Sequence, residues 1–205
     1  MTPKYSVDEV MQLAPVIPVL VIDDAAHARP IAEALVAGGI RALEVTLRTP
    51  AALEVIAEMA KVEGAVVGAG TVVNERQLRD ATDAGARFIV SPGLTDTVAR
   101  PAMDSGIAFL PGVANAGDIM RGLDLGLDRF KFFPAEAAGG RPALTALAAP
   151  FHQCRFCPTG GISLTSAPDW LAIAAVTCVG GSWLVPRGSP DPTAITAAAQ
   201  AAACL

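Results

Sequence analysis

Apolar residues along this chain fall into short runs that alternate with alanine-rich segments of helical periodicity. Eight runs have the length and the β-branched or aromatic character of strands, and most are bounded by Gly, Pro, Ser or Thr. The predicted strands are 16–22, 42–48, 65–72, 88–91, 108–113, 129–134, 155–160 and 175–180. Strands that alternate with helices in this way are typical of a parallel sheet with crossover helices.

The segments between the strands carry the helical pattern, and several of them end at a glycine. The predicted helices are 7–13, 28–37, 51–62, 75–84, 96–105, 116–123, 142–148 and 193–205. Eight strand–helix units in 205 residues favour an α/β fold closed into a (β/α)8 TIM barrel with a short N-terminal helix. Because no linker or low-complexity tract divides the chain, residues 1–205 are expected to form a single barrel domain.

Composition and charge narrow the range of partners. The net charge is −5, and charged residues make up only 17% of the chain, which leaves no basic surface for nucleic acid. The longest apolar runs are interrupted by Gly and Pro, and Asp8 and Glu9 interrupt the start of the chain where a signal peptide would be apolar. We therefore expect a cytoplasmic protein with no nucleic-acid or membrane partner.

The cysteines do not form a pattern typical of disulfides or of a closed metal site. They are Cys154, Cys157, Cys178 and Cys204. His152 lies beside Cys154 and Cys157, but a structural zinc site needs a fourth ligand, and His27 is the only other histidine. Free cysteine is among the most buried residue types, so we expect reduced core thiols and no metal.

Lys131 lies among three phenylalanines in the segment 129–134, and the chain has only two other lysines, Lys4 and Lys61. Such a lysine is either a surface residue that extends its ammonium to water or an amine kept away from water for chemistry. Desolvation disfavours the charged form, and a neutral amine can attack a carbonyl to form a Schiff base. Lys131 is therefore the first candidate for a catalytic residue.

The second predicted strand separates its polar and apolar residues by alternation. Its apolar set is Leu43, Val45 and Leu47, and its polar set is Glu44, Thr46 and Arg48. We expect the polar set to face the barrel interior, with Glu44 deeper and Arg48 roughly 13 Å further along, near the rim. The same alternation places Lys131 and Phe133 together.

Charged residues that face inward must either pair with one another or bind a polar ligand. A buried salt-bridge network is one interpretation of Glu44, Arg48 and Lys131, and an active site is the other. Glycine pairs follow the seventh and eighth predicted strands, at 160–161 and 180–181. Barrels of this type often bind a substrate phosphate at these two loops, which favours the active site.

Six motifs spread over the chain resemble those of the 2-keto-3-deoxy-6-phosphogluconate (KDPG) aldolase and 4-hydroxy-2-oxoglutarate aldolase family. They are LEVTLR at 43–48, VGAGTV at 67–72, SPG at 91–93, FKFFPAE at 130–136, CPTGGI at 157–162 and GGSWL at 180–184. The resemblance implies a class I aldolase that cleaves KDPG to pyruvate and glyceraldehyde 3-phosphate without metal or cofactor. It also implies activity on 4-hydroxy-2-oxoglutarate, which would yield pyruvate and glyoxylate.

The resemblance also assigns roles to residues. Lys131 matches the Schiff-base lysine, and Glu44 matches the carboxylate that moves protons. The positions that match the binding site for the pyruvyl carboxylate are Arg48, Thr71, Pro92 and Phe133. Thr159 matches a residue near the sugar hydroxyls, and the positions that match the phosphate site are Gly160, Gly161, Gly181 and Ser182. Packing is an alternative role for Thr71, Pro92 and Phe133, and a simple turn is the alternative for Ser182.

The choice of substrate and the assembly stay open at this point. A related aldolase for the galactonate epimer shares the lysine, glutamate and arginine, although the motif at 157–162 is more similar to the gluconate enzyme. Two candidates from different functional classes are a phosphosugar isomerase or decarboxylase without a Schiff base and a non-catalytic phosphate-binding barrel. The resemblance implies a homotrimer, and Arg141 adds a cation able to meet substrate or a neighbouring subunit.

Overall fold

The strands form a closed parallel ring in the computed structural model, which describes residues 5–188 and 190–205. The strands are β1 Val16–Leu20, β2 Ala42–Thr46, β3 Val66–Gly70, β4 Phe88–Val90, β5 Ala108–Leu110, β6 Gly112–Val113, β7 Arg129–Phe132, β8 Arg155–Pro158 and β9 Val179–Gly181. Hydrogen bonds connect them in the orders β5-β4-β3-β2-β1-β9 and β6-β7-β8. The single bridges Phe156 to Val176 and Thr159 to Gly180 join β8 to the segment that leads into and includes β9. The predicted α/β barrel is confirmed.

The fifth predicted strand, 108–113, is divided in two, and this corrects the sequence-based boundaries. Its first part, β5, pairs with β4, and its second part, β6, pairs with β7. Pro111 separates the parts because it has no N–H to donate to a ladder. A Cβ atom on Gly112 would overlap the carbonyl oxygen of Pro92, so only glycine fits there. The two parts close the ring between β4 and β7.

Helices cover the outside of the ring. They are α1 Val7–Met11, α2 Ala28–Ala37, α3 Ala52–Met59, α4 Glu75–Asp83, α5 Asp96–Ser105, α6 Ala116–Asp124, α7 Gly140–Ala148, α8 Ala167–Leu171 and α9 Pro192–Ala203. Side chains of Asn74, Asn115 and Asp191 accept hydrogen bonds from the first-turn amides of α4, α6 and α9. The sequence did not predict the short helix α8, and α7 begins two residues before the predicted position.

The short N-terminal helix α1 packs against the start of the strands. Val10 and Met11 of α1 form one buried cluster with inward-facing strand residues that include Ile17, Val66 and Phe88. The larger buried cluster lies mainly between the strands and the outer helices. An ion pair of 2.6 Å between Arg129 Nε and Asp8 Oδ1 also links β7 to α1. Helix α1 therefore closes the N-terminal end of the barrel.

The cysteines follow the sequence prediction in part. All four are free, and Cys154, Cys157 and Cys178 are buried as expected. Cys204 is exposed, which contradicts the prediction that it is a core thiol. It follows the last residue of α9, Ala203, as the C-terminal cap of that helix. Within the two described ranges, every helix is too short or too polar to span a lipid bilayer.

Candidate active site

Lys131 and Glu44 meet inside the barrel. Lys131 lies on β7 and Glu44 on β2, two strands on opposite sides of the ring, and their exposed fractions are 5% and 3%. Lys131 Nζ donates a hydrogen bond of 3.2 Å to Glu44 Oε1. Lys61 pairs with Glu58 on the surface, and Lys4 lies outside the described residues. Of the three lysines, Lys131 is the one that the structure places in the barrel interior.

The space for this pair depends on a small neighbour. Gly70 ends β3, which pairs with β2, and a Cβ atom on Gly70 would overlap Glu44 Oε1. Glycine at this position lets the carboxylate occupy its place beside Lys131. The ammonium of Lys131 also lies 5.3 Å from the centre of the Phe133 ring. Such a separation allows a cation–π contact, which further fixes the amine.

Arg48 and Thr71 form a second polar group nearer the mouth. Arg48 is in the turn after β2, and its Nε donates a hydrogen bond of 3.3 Å to Thr71 Oγ1. Thr71 follows β3 and has a φ of 60°, a left-handed conformation that is rare for a β-branched residue. Such a conformation costs about 1–3 kcal/mol and is found mainly where function requires it. In this conformation the Thr71 hydroxyl accepts the hydrogen bond from the guanidinium.

The loops after β8 and β9 border a cavity of about 220 Å³. It is lined by Val19, Arg48, Phe133, Thr159, Gly160, Gly161, Ile162, Gly180 and Ser182. Gly160 and Gly161 have φ angles of 110° and 82°, which L-amino acids with a side chain rarely adopt. A Cβ atom on Gly180 would overlap the hydroxyl of Thr159, so this glycine makes room for that side chain.

The structure thus brings most of the predicted site residues together. Arg48, Phe133, Thr159, Gly160, Gly161 and Ser182 border one cavity. Lys131 is connected to this group through Phe133, and Thr71 is connected through Arg48. Pro92 and Gly181 do not contribute to the cavity lining. Their roles, like those of the remaining site residues, stay predictions.

A sequence profile described as KDPG and KHG aldolase matches residues 7–198, which is nearly the whole chain. KHG is 2-keto-4-hydroxyglutarate, another name for 4-hydroxy-2-oxoglutarate. The chain belongs to the KDPG and KHG aldolase family. This confirms the resemblance seen in the six sequence motifs. Membership of this family also argues against the alternative of a non-catalytic phosphate-binding barrel.

Individual members of the family are very similar to this chain. The 2-dehydro-3-deoxy-phosphogluconate aldolase of Zymomonas mobilis is 62% identical over 199 residues, covering 97% of this chain and 96% of the relative. The crystal structure of the KDPG aldolase of Zymomonas mobilis ZM4 with 3-phosphoglycerate has a TM-score of 0.95 and 61% identity, covering 98% of this chain and 96% of the other. The KDPG aldolase of Legionella pneumophila, with pyruvate captured as a covalent carbinolamine, has a TM-score of 0.94 and 43% identity, covering 98% and 100%.

Several residues that shape the site of this family member were not predicted from the sequence. Val19 and Ile162 line the cavity, Gly70 leaves room for Glu44, and the sequence placed Gly180 in a glycine pair without showing that it makes room for Thr159. Val19 is an apolar residue in an apolar strand, so its sequence context gives no signal. The glycines are visible in the sequence, but the side chains that require them become neighbours only in the folded barrel.

Two further expectations concern residues outside the cavity. Within residues 5–188 and 190–205, no three His, Cys, Asp or Glu side chains are grouped so that they could hold a metal ion. Arg141 Nη1 forms an ion pair of 2.8 Å with Asp169 Oδ2, which joins α7 to α8. Arg141 is therefore paired within its own chain, which the sequence did not predict.

Proposed function

We propose that this protein is a class I aldolase that cleaves KDPG to pyruvate and glyceraldehyde 3-phosphate through an imine on Lys131. The observation that carries the proposal is the buried contact of 3.2 Å between Lys131 Nζ and Glu44 Oε1 in a member of the KDPG and KHG aldolase family. A lysine kept from water beside a single carboxylate has both groups that this chemistry needs. One is a nucleophilic amine, and the other is a group that accepts and returns protons.

The reaction follows from these two groups. Lys131 Nζ attacks the C2 carbonyl of the substrate, and loss of water gives a protonated imine. Glu44 removes the proton of the C4 hydroxyl, directly or through water, and the C3–C4 bond breaks as its electrons flow into the imine. The aldehyde leaves, and the remaining enamine takes a proton at C3 from Glu44. Hydrolysis of the imine then releases pyruvate and regenerates the amine.

Arg48 and Thr71 are proposed to bind the carboxylate of the keto acid. The planar guanidinium of Arg48 can pair with both carboxylate oxygens, and Thr71 holds its Nε side in place. Pro92 and Phe133 are proposed to shape the same pocket, in which Phe133 contacts Lys131. This arrangement presents the C2 carbonyl to the amine.

The other end of the substrate is proposed to occupy the loops after β8 and β9. Thr159 is suited to a sugar hydroxyl because it is a hydroxyl-bearing residue of the cavity lining. The proposed phosphate site consists of Gly160, Gly161, Gly181 and Ser182, where glycine lets backbone N–H groups approach an anion closely. The Zymomonas mobilis relative crystallised with 3-phosphoglycerate supports a phosphorylated ligand.

A second substrate, 4-hydroxy-2-oxoglutarate, is favoured by the family to which the chain belongs. It has the same 2-keto acid end and lacks the phosphate. We expect Arg48 and Thr71 to hold it, and the products to be pyruvate and glyoxylate. The gluconate rather than the galactonate epimer is proposed as the phosphorylated substrate because a relative at 62% identity is a phosphogluconate aldolase.

The test is covalent capture of the imine. The protein is incubated with pyruvate and borohydride and then digested, and the modified lysine is located by mass spectrometry. We expect the adduct on Lys131 and none in the Lys131→Arg variant, which retains the charge without the nucleophile. An adduct confined to Lys4 or Lys61, or no adduct, would refute the proposed mechanism.

We also propose that the protein is a homotrimer and that it is located in the cytoplasm. The homotrimer implied by the resemblance would show in light scattering at micromolar concentration as three times the chain mass, and a monomer mass would exclude it. A cytoplasmic location is consistent with the four free cysteines, because thiols usually stay reduced in that compartment.

A further inference from the structure

The segment that follows Lys131 is hydrogen-bonded to the proposed phosphate loop. Beyond the end of β7, the backbone N–H of Ala135 donates to the carbonyl of Thr159 at 2.9 Å, and the N–H of Glu136 donates to the carbonyl of Gly160 at 3.1 Å. The loop at 160–161 therefore takes its position from the same stretch of chain that carries the reactive amine.

The side chain of Glu136 adds a second connection. A Cβ atom on Gly161 would lie 2.7 Å from Glu136 Cγ, so Gly161 rests directly on this side chain. Glu136 Oε1 accepts a hydrogen bond of 3.1 Å from the indole Nε1 of Trp170. Although Glu136 is exposed as a whole, one carboxylate oxygen is thus held by a donor from the interior.

Trp170 connects this contact to the strand of Lys131. Trp170 is fully buried on α8, the helix that follows the glycine loop, and its ring centre lies 6.4 Å from that of Phe132. Phe132 is the residue next to Lys131 on β7. The segment after β7 therefore contacts the glycine loop through Glu136. Glu136 also contacts α8 through Trp170, and Trp170 packs against Phe132 of β7.

We propose that Glu136 is a positioning residue that fixes the glycine loop, and with it the phosphate of the substrate, relative to Lys131. The inference rests on the proposed function, in which Gly160 and Gly161 bind the phosphate. A pair of glycines has unusual backbone freedom, so its bound geometry must be imposed by neighbours. Binding energy at a remote phosphate accelerates a reaction only if it orients the reacting carbons.

The useful properties of Glu136 are its shape and its hydrogen-bond acceptor rather than its charge. A carboxylate beside an anion site repels the anion. Glutamine has the same length and an oxygen that can accept the bond from Trp170, and it has no charge. The proposal therefore predicts different results for alanine and glutamine at this position.

The experiment compares Glu136→Ala, Glu136→Gln and Trp170→Phe with the wild-type protein on two substrates, KDPG and 4-hydroxy-2-oxoglutarate. The matched control is Asp169→Asn, which breaks the exposed ion pair between α7 and α8 but leaves Glu136 and Trp170 in place. For each variant, kcat and KM are measured on both substrates, and the imine with pyruvate is captured with borohydride.

For Glu136→Ala we expect kcat/KM on KDPG to fall roughly 10- to 100-fold, because the phosphate is misplaced. Its kcat/KM on 4-hydroxy-2-oxoglutarate and its imine yield should stay within about twofold of wild type. Trp170→Phe should change the ratio of the two efficiencies in the same direction. Asp169→Asn should behave as wild type, and Glu136→Gln should use KDPG at least as efficiently as wild type because it lacks the charge that repels the phosphate. The ratio between substrates does not depend on the fraction of folded protein, so a loss of stability cannot imitate the effect.

Three results would overturn the inference. The first is an equal loss on both substrates, which would assign Glu136 to general stability. The second is no loss in Glu136→Ala, and the third is a Glu136→Gln variant as impaired as the alanine variant. If instead the wild-type protein uses dephosphorylated KDPG as efficiently as KDPG itself, the proposed phosphate site is wrong. This result comes from the wild-type protein alone, so it is distinct from a failure of the Glu136 inference.

Discussion

Lys131 and Glu44 show that a single charged residue in an apolar strand can identify the strand face that points into the barrel. Each side chain alternates with buried neighbours, so the strand geometry leaves only the barrel interior for it, and the structure places both there. Thr46 follows the same rule, and its hydroxyl donates to the carbonyl of Leu20. The sequence could not predict that Gly70 leaves room for Glu44, because that requirement arises from two adjacent strands. Glu136 was hidden for a similar reason, since its partner Trp170 is 34 residues away.

The first prediction concerns the proton-transfer role of Glu44. Glu44→Gln retains the shape of the side chain but removes the base, so kcat on KDPG should fall by roughly 10² to 10⁴. Capture of the pyruvate imine on Lys131 should persist, because the amine is intact. Pyruvate release measured by a coupled assay gives the first quantity, and borohydride trapping gives the second. A variant with wild-type kcat would remove Glu44 from the mechanism.

The second prediction uses the left-handed backbone of Thr71. Thr71→Gly should raise the free energy of unfolding by about 1 kcal/mol, because relief of the strain exceeds the entropy cost of glycine. Loss of the hydroxyl that accepts from Arg48 should weaken keto-acid binding by roughly 3- to 10-fold. Urea unfolding and KM measurements report the two effects separately.

Thr82, inside helix α4, provides the control for this substitution. Thr82→Gly should lower the free energy of unfolding by about 0.5 kcal/mol, because glycine has a lower helix propensity than threonine, and leave KM unchanged. If Thr71→Gly is destabilised as much as Thr82→Gly, the strain at Thr71 does not have the energy assigned to it.

Among the secondary-structure elements, periodicity predicted seven strands as units and misjudged the fifth. Pro111 was visible in the sequence, but whether it ends a strand or divides it depends on the strands that flank it in the ring. Helix α8 was missed because its five residues include a proline and follow a run of Ser and Thr, which is typical of a turn. Long segments with a regular pattern were predictable, and short segments fixed by contacts with distant parts of the chain were not.

The third prediction concerns thiol reactivity and follows from the placement of the cysteines on the elements. A hydrogen bond with Cys157 and burial raise the pKa of the Cys178 thiol well above its usual range. Burial also raises the pKa of Cys154. A raised pKa means that these thiols stay protonated at pH 8, and the thiolate is the reactive form. Cys204, exposed after α9, should therefore react first with maleimide.

Mass spectrometry of the briefly labelled protein identifies the modified cysteine. In the native protein we expect one adduct, on Cys204, and in urea we expect adducts on all the cysteines. The Cys204→Ser variant should remain unlabelled under native conditions. Labelling of Cys154 or Cys178 on the same timescale would show that the barrel opens far more often than its packing indicates.

For the whole molecule, the fourth prediction is that turnover needs no divalent metal. In the proposed reaction the protonated imine accepts the electrons of the broken bond, so no metal is required to polarise the carbonyl. Exhaustive treatment with EDTA should leave kcat on KDPG unchanged. Loss of activity that one added metal ion restores would contradict the Schiff-base assignment.

Helix α1 affects the route by which substrate binds and products leave. In the part of the chain that the structure describes, its Val10 and Met11 fill the N-terminal end of the barrel, which leaves the opposite end for molecules to enter and leave. Lys131 lies deep inside the barrel, and the glycine loop lies near the open end. In the proposed reaction, pyruvate stays bonded to Lys131 beneath the departing aldehyde and must leave last. In the condensation direction it must therefore arrive first, because the aldehyde reacts only with the enamine that pyruvate forms on Lys131, so the proposed reaction predicts a compulsory order of binding.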